Sequence, residues 1–420
     1  MLFLYKITTI ILYPLLIILV FLRKIVGKED PSRFKEKIFF QKSKFISGKL
    51  IWFHVASIGE LNSVVPIVKN FLNNNKDLNI LITTVTLSSG KIFENEFKNQ
   101  ENIIHKYFPV DVPHLIKNFI EKWNPSLVIF VDSEIWPNCI SQIKKKNIPT
   151  VLLNARITNK TCKRWLFLKN FAKKIFSSFD VCIASSINSR DNLKLLGANN
   201  IEYYGNLKYI GTNKKNKKLE KSVTDSLKDR KVWLAASTHD SEEKFCLVVH
   251  KIIKKKYPNI LTIIAPRHIN RIKDIVAETN KSKLKAQIIK SDEVIKNETD
   301  VVLINSFGSL NKYYNYCKNI FIGKSLNKNL ILEGGQNPIE AARFGCKIYH
   351  GPYVYNFLEV YQFLKINEIS EEINDTETLS SKIIYDLSTQ SKIDESKIKK
   401  IDEFGKNIFD KTVKKLEKMI

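Results

Sequence analysis

The chain has 420 residues, too many for one ordinary core, so two domains are the expectation. Hydrophobic residues make up 44% and aromatics 11%, which excludes a disordered chain. The formal net charge of +26, from 68 Lys and Arg against 42 Asp and Glu, suggests a polyanionic partner or anionic membrane surface, or a genome-wide lysine bias. No helix-turn-helix, zinc-finger or RNA-binding signature is present, so nucleic acid is not an expected partner. The six cysteines have no two-residue pairing and sit mostly in apolar runs, which reads as reduced, buried thiols.

In chain order, Leu2–Leu22 is a 21-residue apolar run, close to the ~20 residues a helix needs to cross hydrocarbon. No small-residue cleavage site follows it, so it reads as an uncleaved anchor rather than a signal peptide. Arg23, Lys24 and Lys28 outweigh Lys6, which places the body of the protein in the cytoplasm. A helix lying in the membrane interface is the alternative. Phe34, Phe39 and Phe40, set among basic residues, either help seat the protein on a membrane or pack in its core.

Beyond the anchor, short apolar runs alternate with amphipathic segments, the pattern of a parallel sheet with crossover helices. Strands are expected at Leu50–Val55, Ile80–Val85, Leu127–Val131, Thr150–Leu153 and Val181–Ala184, and helices at Ser63–Asn73, His114–Trp123 and Lys163–Ser177. The lysine-rich, apolar-poor stretch Gly211–Lys231 reads as a linker plus a surface helix. The alternation restarts with strands at Val232–Ala235, Leu261–Ala265, Ala286–Ile289, Val301–Ile304, Ile320–Ile322 and Lys347–Tyr349. The division is an anchor over 1–24, an N-terminal α/β domain over 25–210, a linker over 211–230 and a C-terminal α/β domain over 231–420 that includes closing helices.

Ligands of such sheets bind beyond the carboxyl ends of the strands, and polar clusters collect there. "HVASIGE" brings His54, Ser57, Gly59 and Glu60 to the end of the first strand, where glycine permits a sharp turn. Taken alone, Glu60 reads as a helix-cap carboxylate. "VDSEIWPN" adds Asp132 and Glu134, "NARIT" adds Arg156, and "YYGNLKY" adds Lys208. In the second half, "AASTHDSEE" supplies Ser237 and backbone amides suited to a phosphate. "IIAPRHINR" supplies Arg267, His268 and Arg271, an anion-binding set. "EGGQNPIEAARFG" places Asn337 and Glu340 at a helix start. Each cluster also reads as loop capping and surface charge, a reading that weakens as the clusters accumulate on one side. No dinucleotide fingerprint, Walker loop, zinc motif or nucleophile elbow is present, and the histidines form no metal spacing.

In this order, "HVASIGE", "DSEIWPN", "NARIT", "GNLKY", "STHDSEE", "APRHINR", "FIGKSL", "GGQNPIEAA" and "GPYVYNF" resemble the Kdo (3-deoxy-D-manno-octulosonic acid) transferases of lipopolysaccharide synthesis. The resemblance runs over nearly the whole chain. It implies the glycosyltransferase-B architecture, two Rossmann-like domains facing a cleft. It implies an inverting transfer from CMP-Kdo to a lipid A precursor (lipid IVA) at the cytoplasmic face of the bacterial inner membrane, with no cofactor and no metal. It implies Glu60 as general base, supported on the acceptor side by Ser57, Gly59, Asp132, Glu134, Arg156 and Lys208. On the donor side it implies Ser237, Arg267, His268, Phe307, Gly308, Ser309, Asn337 and Glu340, the last two on the ribose. The chain departs from the family pattern in "NSFGSL" (Asn305–Leu310), where two acids are replaced, in Lys324 where a second glycine is usual, and in Tyr209. The competing readings are a glycosyltransferase of this architecture with another nucleotide-sugar, and a membrane-anchored basic binding protein.

Overall fold

The computed structural model describes residues 1–40, 48–98, 100–210, 219–290, 293–306, 308–331, 334–389 and 395–420. It divides into two units, Met1–Thr212 with Phe404–Ile420, and Asn213–Glu403. The final stretch, included in the second domain by the sequence reading, thus groups with the first: the helix Glu395–Glu417 begins in one unit and ends in the other.

Among the described residues the first unit holds seven parallel strands: β1 (Leu50–Val55), β2 (Asn79–Thr84), β3 (Ile103–Tyr107), β4 (Leu127–Val131), β5 (Thr150–Ala155), β6 (Val181–Ala184) and β7 (Ile201–Tyr203). Their order is β3-β2-β1-β4-β5-β6-β7. The chain reverses its direction of travel between β1 and β4, which is the switch point where such sheets bind ligands. The central strands are fully buried apolar runs, as a sheet covered on both faces requires. Trp52, Phe130 and Phe176 fill the core between sheet and helices.

The second unit repeats the plan with β8 (Val232–Thr238), β9 (Leu261–Pro266), β10 (Ala286–Ile289), β11 (Val301–Ile304), β12 (Asn319–Ile322), β13 (Lys347–His350) and β14 (Ser370–Glu372). Their order is β10-β11-β9-β8-β12-β13-β14, with the switch point between β8 and β12. Trp233, Phe321 and Tyr349 are among its large buried side chains.

The N-terminal run is not one helix. It forms Leu2–Ile11 and Tyr13–Ile25, bent by 55° at the break. Pro14 occupies the first turn of the second helix, where its missing N–H and ring cannot continue the helix before it. Among the described residues no single helix is long and apolar enough to cross a membrane. One side of the pair is docked on the first unit. Tyr5 donates to Asp111 at 3.0 Å, Asn138 Nδ2 donates to Thr9 at 3.0 Å, and Val20 packs on Phe34 and Ile38. Phe34 is therefore a core residue, while Phe39 and Phe40 are exposed.

Candidate active site

The first candidate subsite lies at the β1/β4 switch point. Ser57, in extended conformation, caps the helix Ile58–Asn74, which starts five residues before the expected Ser63. Its hydroxyl oxygen accepts the Glu60 N–H at 3.3 Å, and the hydroxyl donates to Glu60 Oε1 at 2.8 Å. The Ala56 N–H donates to Glu60 Oε2 at 2.7 Å. Glu60 is thus a helix-cap carboxylate held by two hydrogen bonds at a strand end, as the capping reading expects. Burial, and then the charges of Asp132 and Glu134, push its pKa up to about 7, against the lowering effect of the Ala56 and Ser57 bonds.

Glu134 behaves in the opposite way. Burial raises its pKa, but hydrogen bonding and charge from His54, with a bond from Trp136, outweigh that and hold it below the ordinary carboxylate value. His54 is buried between the Thr83 hydroxyl at 2.9 Å and Glu134 Oε2 at 3.2 Å, and Trp136 Nε1–H donates to the same oxygen at 2.9 Å. The two carboxyls are thus pushed to opposite sides of the ordinary value by their surroundings.

Asp132 has a left-handed backbone (φ 57) and accepts from Asn154 Nδ2 at 2.5 Å and Lys208 Nζ at 3.1 Å. Asn154, itself at φ 53, accepts the Leu207 N–H at 2.9 Å, so the ends of β4 and β5 and the loop of Lys208 are laced together. Arg156 is exposed; its N–H donates to the Asp132 carbonyl at 3.1 Å. Gly59 sits in the first helical turn, and an added Cβ would meet only Ser57 Oγ at 3.8 Å. It makes no sharp turn, contrary to the sequence expectation; it leaves an open surface beside Glu60.

The second candidate subsite lies along the carboxyl ends of β11, β9, β8 and β12. Ser237 is a bulge residue at φ 56 whose carbonyl lies 3.1 Å from His239 Nδ1. Arg267 and His268 are exposed at the end of β9, and the His268 ring lies edge-on to His239 at 5.5 Å. Gly308 is exposed at φ 76, and the Ser309 hydroxyl bonds to Ser306 at 2.7 Å. Phe307 lies outside the described residues. Asn337 Oδ1 accepts the Ile339 N–H at 3.1 Å and starts the helix Ile339–Arg343, which carries the exposed Glu340 in its first turn.

Two expectations for this end are corrected. Arg271 is consumed within the protein, bidentate to Glu243 at 2.9 and 3.1 Å and bonded to Asp240 at 2.9 Å. Of the backbone amides expected to cradle a phosphate, that of His239 is already filled. Glu242, 1% exposed, accepts the N–H groups of His239, Lys324, Ser325 and Leu326 at 2.7–3.1 Å. An internal carboxylate thus occupies the amide nest at the β8/β12 switch point. Gly323 makes the crossing possible: a Cβ there would lie 2.6 Å from Thr238 Cα and 2.7 Å from Ser237 O and Glu242 Oε2. The next residue, Lys324, holds φ 60, a conformation that costs a Cβ-bearing residue about 1 kcal/mol.

Sequence reasoning had not singled out Glu242, His239 or the His54–Glu134 contact. No local sequence signal marks Glu242, because the amides it accepts from beyond β12 lie about 80 residues away in sequence. Among the described residues no group of three or more His, Cys, Asp or Glu is placed to hold a metal ion.

The 3-deoxy-D-manno-octulosonic-acid transferase (kdotransferase) family profile matches residues 32–210. The chain is 30% identical over 380 residues to the 3-deoxy-D-manno-octulosonic acid transferase of Haemophilus influenzae, covering 89% of this chain and 87% of that one. It is 29% identical over 388 residues to that of Rickettsia bellii, covering 91% and 90%. In fold it is similar to a glycosyltransferase from Rickettsia africae, with TM-score 0.60 and 14% identity over 89% of this chain and 99% of that one. It is equally similar to a UDP complex from Anabaena, with TM-score 0.60 and 10% identity over 88% of this chain and all of that one. These neighbours and the two parallel α/β sheets give the glycosyltransferase-B architecture, and the sequence relatives give the activity class: the chain belongs to the 3-deoxy-D-manno-octulosonic acid transferase family of glycosyltransferases.

Proposed function

We propose that the protein transfers Kdo, with inversion, from CMP-Kdo to a lipid A precursor, lipid IVA, with Glu60 as general base. The observation that carries the assignment of the base is the Glu60 carboxyl at the β1/β4 switch point, rigidly held and with a pKa near 7. A base poised at the working pH accepts a proton without being permanently charged. In the proposed reaction, the Glu60 carboxylate takes the proton of the acceptor hydroxyl. The oxygen forms a bond to the anomeric carbon, whose bond to the phosphate oxygen breaks. CMP departs with that electron pair, its charge met by Arg267 and His268. Asn337 and Glu340 take the ribose hydroxyls.

Localisation at the cytoplasmic face of a bacterial inner membrane is part of this proposal. The bent N-terminal pair supports a surface-seated arrangement: its outer side exposes Phe3, Leu4, Leu15, Ile18 and Leu22, and Arg23 and Lys24 close its end.

The test is incubation of the full chain with radiolabelled CMP-Kdo and lipid IVA, beside a Glu60→Ala variant. Transfer by the wild type and near-loss in the variant is expected. A folded wild type that transfers from a UDP-sugar and not from CMP-Kdo would overturn the donor assignment.

A further inference from the structure

The docking of the N-terminal helix builds a basin that the proposed transfer does not use. The helix Leu2–Ile11 is held on the first unit by the Tyr5–Asp111 and Asn138–Thr9 hydrogen bonds, and the Tyr5 and Phe171 ring centroids lie 6.3 Å apart. It is thereby set beside the helices Pro137–Lys145 and Lys169–Phe176. Between the three helices is a pocket of about 480 Å³, with Leu2 and Phe3 in its wall and Lys6, Lys144, Lys145 and Lys174 lining it. No acid lines it among the described residues. Lys144 is paired with Asp180 at 3.4 Å, while Lys6, Lys145 and Lys174 have no ion pair among the described residues.

Lys144, Lys145 and Lys174 stand in the last turns of their helices, where the dipole favours a cation. Lys6 has no such reason for its place, being the one charged residue in the middle of an apolar helix. Burial, and then the charges of Lys145 and Lys174, lower its pKa. Like charges converge here at a cost that a bound anion would reverse. The chemistry of the pocket narrows that anion. A phosphodiester brings a single negative charge, whereas a phosphomonoester brings about 1.5 to 2 near neutral pH and matches several cations better. Leu2 and the exposed Phe3 offer hydrocarbon contact beside the phosphate.

We propose that this pocket binds the phosphomonoester headgroup of a membrane lipid, with the acyl chains alongside Leu2 and Phe3. The inference rests on the reading that the N-terminal pair seats on a membrane. It goes beyond a diffuse attraction to anionic lipid, because it predicts a choice of headgroup.

The experiment is co-sedimentation of the full chain with phosphatidylcholine vesicles that contain phosphatidic acid or phosphatidylglycerol at matched surface charge. The wild type is compared with Lys145→Gln/Lys174→Gln and with Lys24→Gln/Lys28→Gln, which removes the same charge around the end of the helix pair, and all three are melted. The wild type should prefer phosphatidic acid. Lys145→Gln/Lys174→Gln should bind those vesicles roughly thirtyfold more weakly, the loss of two lysine contacts with a headgroup, and the preference should vanish. It should melt as the wild type does, because both side chains are exposed. Lys24→Gln/Lys28→Gln should weaken binding to both vesicles alike and keep the preference. A wild type that binds both vesicles without preference overturns the proposal, as does a preference that survives in Lys145→Gln/Lys174→Gln. A wild type that binds neither overturns the membrane-seated reading as well. Titration with glycerol phosphate separates a lipid from a soluble ester: binding as tight as that of the vesicles would overturn the lipid assignment.

Discussion

Each unit places a glutamate in the first turn of the first helix after its switch-point strand, and the two residues are used in opposite ways. Glu242 is 1% exposed and accepts four backbone N–H groups that fix two loops. Glu60 is partly exposed and accepts from one backbone N–H and one hydroxyl. Burial pushes both carboxyls up. For Glu242 the remaining leading influences are the four amides, which oppose burial; for Glu60 the charges of Asp132 and Glu134 add to it. One topological position thus yields a brace when its lone pairs are saturated. It yields a titratable group when capacity and access are left over.

The largest expected effect separates the two by activity. Glu60→Gln should lower transfer by about a thousandfold, within the range for loss of a general base, without loss of the fold. Stability should move the other way. Because the folded pKa of about 7 exceeds the ordinary 4.5, the contribution of Glu60 to stability is greatest below pH 4.5 and falls as pH rises through about 7. Removing the charge should therefore stabilise the protein at neutral pH and above. The ceiling is about 3 kcal/mol, and solvent contact reduces it to about 1–2. Melts of the two proteins at low and high pH check the sign.

Glu242→Gln should do the reverse. One carbonyl oxygen cannot serve four N–H groups, and the loss should reach about 3 kcal/mol, read as a lower urea midpoint. A variant as stable as the wild type would remove Glu242 from its role as a brace.

A smaller effect tests the neighbours of Glu60. Asp132→Asn keeps an acceptor for Asn154 but deletes a negative charge, so the pKa of Glu60 should fall. The acid limb of the pH–rate profile should shift to lower pH, and an unmoved limb would show that burial alone sets it. The smallest effect concerns Gly59, where Ala is sterically admitted and should add about 0.5–1 kcal/mol as a better helix former. A stabilised but slower Gly59→Ala enzyme would mean that the open surface beside Glu60 admits substrate.

Much of the fold was legible because the central strands are continuous apolar runs. Leu50–Val55, Leu127–Val131 and Val301–Ile304 coincide with the expected strands. β3, β7 and β14 went unread. They lie toward the sheet edges, where β3 alternates buried and partly buried residues and the other two have three residues each. The expected helix Lys163–Ser177 is two helices, Asn159–Leu166 and Lys169–Phe176, broken at Phe167 and Leu168. The apolar N-terminal run gave a length without a shape, because Pro14 bends it and Asp111 and Asn138, far away in sequence, hold it to the domain. The site was legible as a set of strand-end motifs. The saturation of Glu242, the diversion of Arg271 and the strain at Lys324 depend on backbone crossings such as that at Gly323, which no local pattern encodes.

The most direct test of the central claim is the pH dependence of Kdo transfer by the wild type from about pH 5 to 9, with Glu60→Gln measured alongside. A single ionisation near pH 7 below which transfer falls, absent from the residual activity of Glu60→Gln, is the predicted result. Glu60→Gln transferring at a rate close to the wild type, or keeping the same acid limb, would contradict it.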